Sequence, residues 1–141
     1  MSENERNLGH IDPHTPLDII KEIKNAPPKI LKIFEEWVIE TKHPEYNYLF
    51  ARFIEGADIK RHGEALIESK DPQYNYYFAR DVKGADIKAH GKVVIESDNP
   101  DYNLFFADIE GADKEAHLEI YRRWENEWHR KYGTQNIGRQ M

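Results

Sequence analysis

The stretch Asp71–Asp98, DPQYNYYFARDVKGADIKAHGKVVIESD, decides the fold, because the chain on either side repeats it. Upstream by 28 positions stands HPEYNYLFARFIEGADIKRHGEALIESK (residues 43–70), identical at 17 of 28 positions. Downstream stands NPDYNLFFADIEGADKEAHLEIYRRWEN, one residue shorter before Gly111. Self-similarity at this period marks a protein built by stacking one supersecondary unit on the next.

Within the stretch the punctuation is helical. Asp71 is an N-cap residue and Pro72 suits the first helical turn, where its missing N–H costs nothing. Gly84 reads as the helix stop, and Asp86 caps a second helix from Ile87 to about Ser97. The apolar positions Tyr74, Tyr77, Phe78 and Val82, then Ile87, Val94 and Ile95, recur at helical spacing and never alternate. The unit is therefore an αα-hairpin. The cap–proline pair recurs as Thr15-Pro16, His43-Pro44, Asp71-Pro72 and Asn99-Pro100. The expected fold is all-α, a short α-solenoid of four helical-hairpin repeats (15–42, 43–70, 71–98 and 99–132) forming one domain. Residues 1–14 read as a flexible lead-in and 133–141 as a flexible tail. The helix pairs are expected near 16–26/28–42, 44–55/59–69, 72–83/87–97 and 100–110/114–132, with Gly133 as the final stop.

The terminal units diverge as capping units should. The first replaces the aromatic helix with PLDIIKEIKNA, and the last extends its second helix. On that extension His117, Tyr121, Trp124, Trp128 and Tyr132 fall on one face. Two readings compete for this stripe: a cap folded over the open end of the stack, with Trp124 buried and Trp128 partly exposed, or an interface forming a homodimer or a host-protein contact.

Charge and composition exclude several classes of function. A net charge of -6 disfavours general nucleic-acid affinity. The absence of cysteine removes thiol chemistry and disulfides. No apolar run approaches membrane-spanning length, and the polar start MSENERNLGH lacks a secretory signal, so a cytoplasmic location is expected. Segment 99–112 carries Asp101, Asp108 and Glu110 with no basic residue, so the third clear copy has an acidic first half.

Three repeated polar positions invite functional readings. Asn47, Asn75 and Asn103 are poor interior helix residues; they form either a structural ladder bonded to adjoining units or a row of groups reading bases or peptides. His62, His90 and His117 each follow an Asp by four residues, which suits a metal site or, since they fall on the apolar stripe, a structural role. The ladder and the structural histidine are favoured. Gly63 and Gly91 lie on the buried stripe, where the last copy has Leu118; a close approach by the next unit accounts for them. No phosphate loop, HExxH or nucleophile elbow is present, so no catalytic residue, no metal ligand and no cofactor is assigned.

The motif Tyr-x-Phe-Ala-Arg-x-x-x-Gly-Ala-Asp-Ile-Lys at 76–88, nearly matched at 48–60, resembles a short repeat of uncharacterised phage and bacterial proteins. The resemblance implies a helical scaffold of phage or mobile-element origin; it covers 43–98 well and 99–117 in part. The resulting expectation is a non-enzymatic protein-interaction module binding a host factor. Its candidate contact residues are Arg52, Lys60, Arg61, Arg80, Lys88, Asp101, Asp108, Glu110 and Trp128. The alternatives are a nucleic-acid-binding repeat using those cations with interleaved tyrosines, and a metal-dependent enzyme at the Asp/His face.

Overall fold

A computed structural model describes residues 15–140, with side chains as far as Gly133; the lead-in expected over 1–14 lies outside them. Among the described residues there are eight α-helices and no strand. They are α1 (Pro16–Ile23), α2 (Pro28–Thr41), α3 (Pro44–Phe53), α4 (Ile59–Ser69), α5 (Pro72–Asp81), α6 (Ile87–Ser97), α7 (Pro100–Phe106) and α8 (Lys114–Gln140). The chain divides after Ser69 into two compact parts, one residue before a repeat boundary. In the first, α1 and α2 pack on α3, and α4 packs on α2 and α3. In the second, α5 pairs with α6 and α7 with α8, while α7 also packs on α5 and α6. The all-α repeat reading holds.

Local chemistry starts seven of the eight helices as the sequence predicts, while α2 follows Pro27 with no side-chain cap. Thr15, His43, Asp71 and Asn99 each accept the N–H three residues on, with Pro at the first helical position. Asp58, Asp86 and Asp113 do the same for α4, α6 and α8. At the opposite ends, the hydroxyls of Thr41, Ser69 and Ser97 donate to the carbonyl three residues back. Lys42, Lys70 and Asp98 follow at φ of 55°, 59° and 58°, turning the chain in a left-handed step towards the next cap.

The glycines of the Gly-Ala-Asp turns play a different part from the one expected. Helices α3 and α5 end at Phe53 and Asp81, two residues early, because Ile54 and Val82 turn to extended geometry and bury their side chains. The chain then closes a separate four-residue turn through Ala57 N–H to Ile54 O and Ala85 N–H to Val82 O. Gly56 and Gly84 take its third position at φ of 84° and 91°, the requirement of a type II turn. Apolar burial ends the helix, and glycine shapes the turn after it.

Three other boundaries also differ, one of them that of α7, which ends at Phe106 instead of 110. α1 stops at Ile23 instead of 26. α8 passes through Gly133 and continues to Gln140, so the stop expected at Gly133 is not found. A glycine lowers helix propensity by about 1 kcal/mol but ends a helix only where the chain turns left-handed, and Gly133 does not take a positive φ.

Candidate functional site

The repeated polar residues form one internal motif. Asn47, Asn75 and Asn103 are fully buried on α3, α5 and α7, and His62, His90 and His117 on α4, α6 and α8. Each Asn Oδ1 meets the Nδ1 of its own unit's histidine at 2.7–2.8 Å. Each Asn Nδ2 donates to the carbonyl of its own helix cap: His43, Asp71 and Asn99. Asn47 and Asn103 also donate to the carbonyls of Val38 and Val94, on the preceding unit's second helix. Nδ2 is thus committed to carbonyls, Oδ1 faces the ring, and each histidine must carry its proton on Nδ1. A phenylalanine covers each ring: Phe50, Phe78 and Phe106 lie 5.0, 4.7 and 4.6 Å from His62, His90 and His117.

This arrangement decides between the readings of these positions. Asn47 and Asn103 tie units together, and all three asparagines are committed to internal bonds, so they are not available to read bases. The histidines are held in the core by the asparagines, and the aspartates four residues before them spend an oxygen on helix caps. Among the described residues no group of three or more His, Cys, Asp or Glu is placed to hold a metal ion. Burial lowers the pKa of all three histidines, that of His90 to about 4.

The second ring nitrogen differs between copies. His62 Nε2 meets Glu35 Oε2 at 2.9 Å, and the same oxygen accepts Asp58 N–H at 2.7 Å. Because Nδ1–H is already donated, one proton lies between Nε2 and Oε2. Burial pushes the His62 pKa down and Glu35 opposes it. Glu35 occupies the repeat position held by Gly63 and Gly91. At Gly91 an added Cβ would stand 3.1 Å from both His117 Nε2 and Phe106 Cε1. The close approach inferred from sequence is therefore present at Gly91.

The candidate contact residues are dispersed. In the first part, Arg61 forms a double ion pair with Glu36, at 2.6 and 3.0 Å. Arg52 donates to the Tyr48 hydroxyl and covers the Phe53 ring, and Lys60 is exposed. In the second, Arg80 is paired through Nε and Nη2 with Asp81, both at 2.7 Å, and lies over Tyr76 and Tyr77. Lys88 and Asp101 are exposed on the first turns of α6 and α7. Arg80, Asp108 and Glu110 come together around a groove of about 450 Å³ floored by Tyr76, Ala79, Ile87, Phe105 and Ile109.

The α8 stripe divides. His117 is buried, as is the neighbouring Ile120, but Trp124 is 43% exposed, Trp128 38% and Tyr132 51%. Burial of Trp124 is thus overturned: its ring rests on Tyr121 alone among aromatics, while Trp128 rests on His129 and Tyr132. Sequence reading also missed an exposed stripe on α2. Ile30, Ile33 and Trp37, at i, i+3 and i+7, are each at least half exposed. That spacing is visible in PKILKIFEEWVIET, and only the packing tells which apolar face of α2 is covered.

No family model, curated protein or solved structure matches this chain. Among the described residues no helix is long and apolar enough to cross a membrane.

Proposed function

We propose that the chain is a non-enzymatic protein-interaction module, in which helical repeats serve as a scaffold for surface contacts. The observation that carries the reading is the row of large side chains left in water along α8: Trp124, Trp128 and Tyr132. Aromatic residues of this kind are favoured anchors of protein interfaces. The reading is further supported by the fate of the repeated polar residues, since the buried histidines and asparagines are committed to internal bonds. The repeat motif at 76–88 supports a phage or mobile-element origin and, with it, a host protein as partner; a cytoplasmic setting belongs to the same proposal. The nucleic-acid alternative has less support, because carboxylates already engage Arg61 and Arg80 and the net charge is -6.

Affinity capture from host extract tests the proposal, using the whole chain and a Trp124→Ala/Trp128→Ala variant of matching helix content. A reproducible protein retained by the wild type and lost with the variant is the expected result. Retention of nucleic acid in place of protein, or capture indifferent to both tryptophans, overturns it. Sedimentation over a dilution series identifies the case in which the partner is a second copy of the chain.

A further inference from the structure

The groove on the second compact part lacks a residue that its sister repeat contains. In the second copy the run is Phe78-Ala79-Arg80-Asp81-Val82-Lys83-Gly84, and in the third it is Phe106-Ala107-Asp108-Ile109-Glu110-Gly111. The turn bonds align the two: Ala85 N–H to Val82 O matches Ala112 N–H to Ile109 O. Ile109 therefore stands for Val82, Asp108 for Asp81 and Glu110 for Lys83. The residue deleted is the arginine. The deletion shortens α7, and Asp108 and Ile109 bond to carbonyls three residues back, at Phe105 and Phe106.

In the second copy the arginine completes a sandwich. Its guanidinium grips both carboxylate oxygens of Asp81 and lies 4.9 Å from the centre of the Tyr77 ring. The third copy keeps the other two parts. Phe105 stands for Tyr77 and is 45% exposed, and Asp108 is exposed beside it in the groove. Neither Asp108 nor Glu110 has an ion-pair partner among the described residues. Arg80, which also lines the groove, is already held by Asp81, so the groove presents two uncompensated negative charges over an apolar floor.

We infer that this groove is a docking site for an arginine of a protein partner, whose guanidinium replaces the deleted one by lying on Phe105 and pairing with Asp108 and Glu110. Arginine suits the place better than lysine: its planar fork matches a carboxylate bidentately and stacks on a ring face. The Ile87 and Ile109 floor favours an apolar residue next to that arginine. The inference rests on the protein-interaction reading and names the chemistry of one contact within it.

The test uses the full chain and a capped Leu-Arg-Leu peptide, with its citrulline counterpart as the neutral isostere. By NMR titration the arginine peptide should shift the Phe105 ring and the Asp108 and Glu110 amides, and the citrulline peptide should bind at least about tenfold more weakly. Asp108→Asn should weaken the arginine peptide to the citrulline level. An arginine inserted between Ala107 and Asp108, restoring the sister sequence, should block binding by filling the site from within. Equal response to both peptides, shifts centred elsewhere, or no shift up to the solubility limit overturns the inference. A dimer dissolved by Asp108→Asn also overturns it by giving the groove to a second copy. If host-protein capture depends on Trp124 and Trp128 while Asp108→Asn leaves it intact, the scaffold reading stands and this contact fails.

Discussion

The two compact parts contain the same buried Asn–His–Phe cluster and finish it in opposite ways. In the first, Glu35 reaches from α2 to His62 Nε2, and also accepts Asp58 N–H. In the second, Gly91 occupies the equivalent position on α6, and the rings of His117 and Phe106 close on its bare backbone. One solution satisfies the second ring nitrogen with a shared proton, and the other removes the side chain so that the rings can approach. The requirement common to both is Nδ1–H donated to asparagine. What lies behind the ring is free to vary, provided it is a hydrogen-bond partner or close packing and not a void.

The largest effect that bears on this comparison is loss of stability in acid. His62, His90 and His117 each have a folded pKa below the ordinary value of about 6.5, so the unfolded chain takes up protons first as pH falls. Stability is complete above about pH 6.5 and declines as pH drops towards the folded values. For His90, held near pH 4, the decline amounts to about 3 kcal/mol, and His62 and His117 add in the same direction. Urea melts between pH 7 and 4 measure the sum, and imidazole NMR separates the sites. Glu35→Gln sharpens the contrast: without the carboxylate's upward pull, His62 should titrate lower, and His117 should not change.

Next in size is Asn103→Ala. It strips His117 Nδ1–H, Asn99 O and Val94 O of a partner at a fully buried position. A single orphaned buried group costs about 1–3 kcal/mol, so a loss of about 3 kcal/mol is expected in denaturant melts. An effect below about 1 kcal/mol would mean that the cluster does not organise its unit.

Gly91→Leu should cost about 1–3 kcal/mol by overpacking, because the new side chain starts 3.1 Å from His117 Nε2 and Phe106 Cε1. The last copy carries leucine at the matching position, residue 118. A neutral or stabilising outcome in the same melts would remove close approach as the reason for glycine. The smallest effect is expected at Trp124→Ala. With 43% of the residue in water, the change should lie within about 1 kcal/mol, and a large drop in melting temperature would restore the capping role for the α8 stripe.

Local signals explain which parts of this outcome were legible beforehand. Caps, proline positions, the turn glycines and apolar spacing act over three or four residues, so the helix starts at Pro44, Ile59, Pro72 and Ile87 could be read directly. The early ends at Phe53 and Asp81 could not, because they depend on where Ile54 and Val82 find burial. The asparagine ladder was legible as a repeat under constraint, but its histidine partner, 14 or 15 residues away, required the hairpin to close. Trp124 was misplaced for the same reason. Helical spacing assigns a residue to a face, and only the neighbouring helices decide whether that face is covered.

The sequence by itself determined an all-α chain of paired helices, the positions that punctuate it and the need for glycine at 91, since each follows from backbone geometry or from comparing one copy with another. Tertiary structure alone decided that Glu35 sits against His62, that α2 and α8 leave apolar stripes in water, and that Phe105 and Asp108 line one groove with Tyr76 and Ile87. Those are distances between residues far apart in the chain, and they exist only once the helices have packed.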